Sequence, residues 1–153
     1  MDMIKDNKAR LSGLEQLHAL IAANIPPPIN RTMNFTLTEF EEGRAVFEGN
    51  PDQSVYNPIG AVHGGYAATL LDTACGCAVH STLTADQGYT TLELKVAYHR
   101  PLTDASGPVR AEGNIVSIGR RTGFAEARLT DRNGKVCATA TSTLLIFPLG
   151  SAG

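Results

Sequence analysis

No run of 18 apolar residues occurs in this 153-residue chain, so no membrane-spanning helix is expected. Excess positive charge is also missing. Thirteen Lys and Arg stand against fifteen Asp and Glu, a net charge of −2, which offers no general field for nucleic acid. Cysteine is scarce: Cys75, Cys77 and Cys137 form no Cys-x-x-Cys pair and cannot all pair with one another. They read as reduced, buried thiols. Cys75 and Cys77 lie two apart, so a helix would turn them to different faces, which argues against a metal site. The opening Met1-Asp2-Met3-Ile4-Lys5-Asp6 lacks an apolar signal region. These absences point to a cytoplasmic protein with neither membrane nor nucleic acid as partner. At 42% hydrophobic and 18% charged, the composition suits one globular core.

Acidic residues are nearly missing from the middle of the chain. Between Asp52 and Asp86 the only carboxylate is Asp72. It sits in the small, apolar run that follows Tyr56-Asn57-Pro58-Ile59-Gly60-Ala61-Val62-His63-Gly64-Gly65, a run long enough for one helix of about five turns. A lone carboxylate in an apolar helix is expected to be buried and therefore paired or used. The His-Gly-Gly at the start of that helix is the second unusual feature. Backbone N–H groups there lack intrahelical partners and carry positive partial charge. Glycines let a ligand approach them closely, and an anion or developing oxyanion suits the position.

The remaining chain frames this segment. Residues 1–11 are polar and are expected to fray. Ser12-Gly13-Leu14-Glu15 has the form of a capping box, and Leu14, Leu17, His18 and Ile21 follow helical spacing until Pro26-Pro27-Pro28 ends the helix. Met33, Phe35 and Leu37 alternate as a strand does, Glu42-Gly43 turns, and Arg44 to Gly49 returns. Beyond the central helix, Leu92, Leu94, Val96 and Tyr98 alternate with polar residues. Val109 to Ile118 is a strand whose apolar phase slips between Ala111 and Val116, around Gly113-Asn114, which predicts a bulge. Asn133-Gly134 predicts a hairpin between the last two strands. Helix, two strands, long helix and four strands describe an α+β fold, a mostly antiparallel sheet around one central helix. The expected division is an N-terminal extension over 1–29, a core domain over 30–148 and a loose tail over 149–153.

Asp72 and Gly64 are eight residues apart, about 12 Å along one helix. One reacting atom cannot touch both within about 3 Å. Either the features are unrelated, or a two-fold dimer brings each helix start to the Asp of its partner.

Asn57-Pro58-x-Gly60-x-x-His63-Gly64-Gly65 followed by Leu71-Asp72 resembles the signature of the hotdog-fold acyl-CoA thioesterases, and most closely the phenylacetate-degradation (PaaI-like) type. The runs Thr91–Pro101 and Gly119-Arg120-Arg121 resemble the same family. The resemblance implies an acyl-CoA thioesterase with a hotdog fold, working as a homodimer with shared sites or as a dimer of dimers, with coenzyme A as part of the substrate and no separate cofactor. It implies that Gly64 N–H polarises the thioester carbonyl and that Gly65 supports the turn. Asp72 of the partner would be general base or nucleophile, Asn57 and His63 would position the thioester or hold the loop, and Thr91 would orient the water. A desolvated carboxylate titrates higher and makes a better base near neutral pH. Arg100, Arg120 and Arg121 are candidates for the phosphates of coenzyme A and equally read as solvated loop charges. Val62, Tyr66 and Leu70 suggest an apolar acyl site. His18, His80 and His99 read as structural or surface residues.

Two rival functions share the fold. One is a non-catalytic acyl-CoA-binding or regulatory module, which has no need of a buried base. The other is a dehydratase, for which an Asp-x-x-x-x-His arrangement is expected; the fifth residue after Asp72 is Cys77.

Overall fold

The computed structural model describes residues 11–150. The fraying expected for the first ten residues, and the last three residues of the expected tail, lie outside the described residues.

Helix α1 (Gly13–Ala23) forms where the capping box predicts it. The Ser12 hydroxyl accepts from Glu15 N–H at 3.3 Å, and the Glu15 carboxylate accepts from Ser12 N–H at 2.7 Å, so two otherwise orphaned donors are satisfied. Asn24 ends the helix in the left-handed conformation, φ 51°. The prolines then do more than stop α1. Pro28 opens a short second helix, α2 (Pro28–Thr32), because a proline lacks only the N–H that a first helical position leaves unused. In the sequence the three prolines signal only the end of α1, and α2 is not expected.

Strands β1 (Phe35–Glu41), β2 (Arg44–Gly49), β3 (Gln87–Tyr98), β4 (Val109–Ile118), β5 (Thr122–Thr130) and β6 (Val136–Pro148) form one sheet. Their spatial order is β1-β2-β4-β5-β6-β3, and every neighbouring pair is antiparallel. The β5–β6 hairpin turns through Gly134 at φ 77°, and its N–H donates to Asp131 O at 2.9 Å, as Asn-Gly predicts. The sheet curls around helix α3 (Gly64–His80). Leu70, Leu71, Ala74, Cys75, Ala78 and Val79 of α3 are fully buried.

Two details of the sheet differ from expectation. The bulge in β4 falls between Ile115 and Ser117, and Gly113 stays in regular pairing with both neighbours. Gly113 answers a different need: a Cβ there would lie 2.3 Å from Ala74 O, so the missing side chain is what lets the α3 backbone rest on β4. In β3 the register shifts between Thr91 and Glu93. Leu94 and Val96 pack half-buried against the core, whereas Leu92, at the shift, and Tyr98 are more than half exposed.

The extension docks on the far end of α3. Gly13 N–H donates to Leu83 O at 2.9 Å, and His80 Nε2 meets Gln16 Oε1 at 3.0 Å. On the outer face of the sheet, Arg44 bridges Glu39 and Glu112, each at 3.0 Å, so that face is polar.

Burial holds the His80 imidazole below its ordinary value of 6.5. The unfolded chain therefore binds more protons just below that value, and stability falls as pH drops through about 6.5. Replacing His80 by Gln should flatten this part of the profile, measured as urea midpoint between pH 7 and 5. Gly113→Ala should cost about 3 kcal/mol or more through overpacking; Ser12→Ala should cost only about 1 kcal/mol. Denaturant titration of the two variants checks that ranking.

Candidate active site

The segment before α3 is a tightly bonded loop. Asn57 Oδ1 accepts from the N–H groups of Ile59 and Ala61, each at 3.1 Å, and Asn57 N–H donates to Ala61 O at 2.7 Å. Gly60 supplies the positive φ of 88° that this turn needs. His63 N–H donates to Val55 O at 2.7 Å, and Val62 N–H to Leu102 O at 2.9 Å. Asn57 is thus a loop anchor.

His63 is the N-cap of α3. Its Nδ1 accepts from Gly65 N–H at 2.8 Å. Gly65 N–H is occupied by this bond, whereas Gly64 N–H has no acceptor among the described residues. The helix start therefore presents one free donor at its positive end, which lines a cavity of about 570 Å³ together with Asn57, Ile59, His63 and Arg100. Tyr98 closes over Gly64: its hydroxyl donates to Gly64 O at 2.6 Å. A Cβ on residue 64 would approach the Tyr98 ring at 3.0 Å. In the sequence Tyr98 is one of the alternating apolar residues of β3, and nothing there marks this contact.

Asp72 lies two turns further along α3, half-buried rather than buried. Thr91, across from it on β3, donates its hydroxyl to Asp72 Oδ1 at 2.9 Å. Thr91 stands beside the β3 register shift, and bulges re-aim side chains. With Oδ1 engaged, Oδ2 has no hydrogen-bond donor among the described residues and can receive a proton. Cys75 is no competing nucleophile: burial first, and then the Asp72 charge, push its thiol up to about 12.

The fold separates the remaining candidates. Arg100 lies at the helix start, beside the Gly64 cavity. Arg120 and Arg121 form the exposed β4–β5 turn; Arg121 O accepts from Ile146 N–H, and Ile146 pairs with Tyr89, two residues before Thr91. They belong to the Asp72 end. Of the residues suggested for an acyl site, Tyr66 and Leu70 are core instead, 1% and 0% exposed; Val62, 7% exposed, stays beside the Gly64 cavity. Among the described residues no three His, Cys, Asp or Glu side chains gather as a metal set, and no helix is long and apolar enough to cross a membrane.

A carboxylate with one free oxygen and a lone N–H at a helix start sit two turns apart on one helix. The profile of the thioesterase superfamily matches residues 59–138, which span both features. The chain belongs to the thioesterase superfamily. It is 31% identical to the proofreading thioesterase EntH of Klebsiella pneumoniae over 67% of this chain and 73% of that protein. It is 25% identical to the 1,4-dihydroxy-2-naphthoyl-CoA hydrolase of Listeria monocytogenes, over 77% of this chain and 94% of that protein. A solved thioesterase family protein from Silicibacter pomeroyi superposes with a TM-score of 0.75 at 26% identity, covering 86% of this chain and 98% of that one. The six-stranded antiparallel sheet around α3 is the hotdog fold of this superfamily, and the chain is a thioester hydrolase by class.

Thr91→Val keeps the shape at β3 and removes the hydrogen bond to Asp72. Thioester hydrolysis should fall about tenfold, with the melting temperature nearly unchanged. Equal rates for Val and Thr at 91 would show that the hydroxyl has no part in the reaction.

Proposed function

We propose that this thioesterase hydrolyses acyl-CoA thioesters in a homodimer, with Gly64 of one subunit facing Asp72 of the other. The observation that carries the proposal is the placement of a free Gly64 N–H and the Thr91-bonded Asp72 at separate points of α3. Their separation of about 12 Å denies one chain a complete site. The coenzyme A moiety is supported by the naphthoyl-CoA hydrolase to which the chain is similar. In this reading the protein works in the cytoplasm, as a dimer or a dimer of dimers of the phenylacetate-degradation type.

Each group then has a role. The thioester carbonyl oxygen accepts from Gly64 N–H, which gains strength as negative charge develops on that oxygen. Asp72 Oδ2 takes a proton from water while the water oxygen bonds to the carbonyl carbon. The tetrahedral intermediate collapses as the C–S bond breaks, and the leaving thiolate takes up the proton. The products are a carboxylic acid and coenzyme A. Thr91 holds the carboxylate in place, Asn57 and His63 hold the loop that presents Gly64, and Arg100 is set to meet the phosphates of coenzyme A.

Thiol release from a panel of acyl-CoAs tests this directly. Asp72→Asn should lose at least about a hundredfold in kcat. Gly64→Pro deletes the donor; proline is tolerated at a first helical position, and His63 already has the extended conformation (φ −60°, ψ 136°) that precedes proline well. Because a Cβ at residue 64 would lie 3.0 Å from the Tyr98 ring, the substitution is combined with Tyr98→Ala, and Tyr98→Ala alone is the control. Mixing the two inactive variants before dimer assembly should restore roughly a quarter of wild-type activity, because random pairing makes half the dimers mixed, each with one intact site. Binding of acyl-CoA without thiol release by the wild type would replace the enzyme with a binding module. Failure of the mixture to recover would remove the shared site.

A further inference from the structure

The first turn of α3 opens on two glycines, Gly64 and Gly65. Glycine is the poorest helix former after proline, because its backbone has the most freedom to lose. A donor placed there must nevertheless keep one direction, since it stabilises developing charge only where it is already aimed. The residues around Gly64 are well held. Val62 N–H donates to Leu102 O, His63 N–H to Val55 O, and Gly65 N–H to His63 Nδ1. None of these bonds is made by Gly64 itself.

Gly64 is held from the sheet. Tyr98, the last residue of β3, donates its hydroxyl to Gly64 O at 2.6 Å. Its ring lies against Gly64: a Cβ there would stand 3.0 Å from both Cζ and the hydroxyl oxygen, and 3.2 Å from Cε1. The ring takes the room a side chain would need, and the hydroxyl fixes the carbonyl. Burial does not account for this position, since more than half of Tyr98 is exposed. The strand is anchored at this end. Tyr98 pairs with Ala138 of β6, and the N–H groups of His99 and Arg100 both donate to Cys137 O, at 2.8 and 3.1 Å. The same strand holds Asp72 through Thr91. One strand thus offers two hydroxyls to α3, Thr91 to the carboxylate and Tyr98 to the helix start.

We propose that Tyr98 is a positioning residue for the reaction: by holding Gly64 it keeps the Gly64 N–H aimed at the thioester carbonyl oxygen. The proposal rests on the part given above to Gly64 N–H in hydrolysis, and it adds the group that sets the direction of that donor. The Tyr98 hydroxyl proton is engaged by Gly64 O, so the phenol takes no proton-transfer role. Tyr98 acts through the backbone of α3, as Thr91 acts through the Asp72 carboxylate.

Tyr98→Phe is the test, because it keeps the ring and deletes one hydrogen bond. With the acyl-CoA that wild type turns over best, kcat should fall about tenfold while KM stays within about twofold, and Tm should hardly move. Protein carrying isotope-labelled glycine gives a readout independent of turnover. The heteronuclear NOE of the Gly64 amide should fall in Tyr98→Phe, while those of Gly76 on α3 and Gly113 on β4 stay as in wild type. An unchanged kcat overturns the proposal. So does a rise in KM that accounts for the whole loss while the Gly64 amide keeps its order, because Tyr98 is then a substrate contact. A Gly64 amide that loosens in Tyr98→Phe, in a protein whose wild type releases no thiol, defeats the hydrolysis and leaves the hold of Tyr98 on Gly64 standing.

Discussion

The contact between the backbone of α3 and strand β4 sets the geometry of the whole molecule. Gly113 has no side chain, and the carbonyl of Ala74 occupies the space a Cβ would fill. At that distance the sheet can curl around the helix and bury the small residues Ala67, Ala74, Cys75 and Ala78 on its inner side. A larger separation would leave voids that these side chains are too short to fill. The helix is thus enclosed on most of its circumference. Gly64, Gly65, Ala68, Thr69, Asp72, Thr73, Cys77 and His80 form the stripe that keeps some exposure.

That stripe explains why the chemistry sits where it does. Its first residue, Gly64, offers a bare N–H because His63 caps the helix through Gly65. Two turns on, Asp72 meets Thr91 from the edge strand β3. On the other flank, α1 and α2 lean against Thr73 and Cys77 and leave a small apolar hollow. Rigid elements position every group: the helix holds Gly64 and Asp72, the strand holds Thr91, and a loop anchored by Asn57 holds His63. Such placement suits a site that must aim one donor and one base without rearranging at the moment of reaction.

Much of this was legible from local pattern. The Ser12–Glu15 capping box, the Asn133-Gly134 turn and the apolar run after Gly64 each depend on neighbours within a few residues, and each forms as predicted. What went astray depended on distant parts of the chain. Gly113 read as a bulge because sequence shows a missing side chain but not the helix that fills its place. Alternation in β3 shows Leu92, Leu94, Val96 and Tyr98 alike, but not that the strand lies at an edge and shifts register at Thr91, which leaves Leu92 exposed while Leu94 and Val96 pack on the core. Tyr66 and Leu70 read as pocket residues because an apolar side chain looks the same in a core and in a cavity. Tyr98 carried no signal, since its role comes from a contact 34 residues away.

By itself, the sequence determined the order of elements, the helix ends and the pairing of a helix-start glycine with a solitary carboxylate. These follow from short-range hydrogen bonding, from periodicity and from composition. Only the tertiary structure decided which strand lies at the edge, that Thr91 reaches Asp72, and that Gly65 N–H is capped while Gly64 N–H is not. Those outcomes depend on the curvature of the sheet and the depth at which α3 seats in it. Packing between residues far apart in the chain sets both.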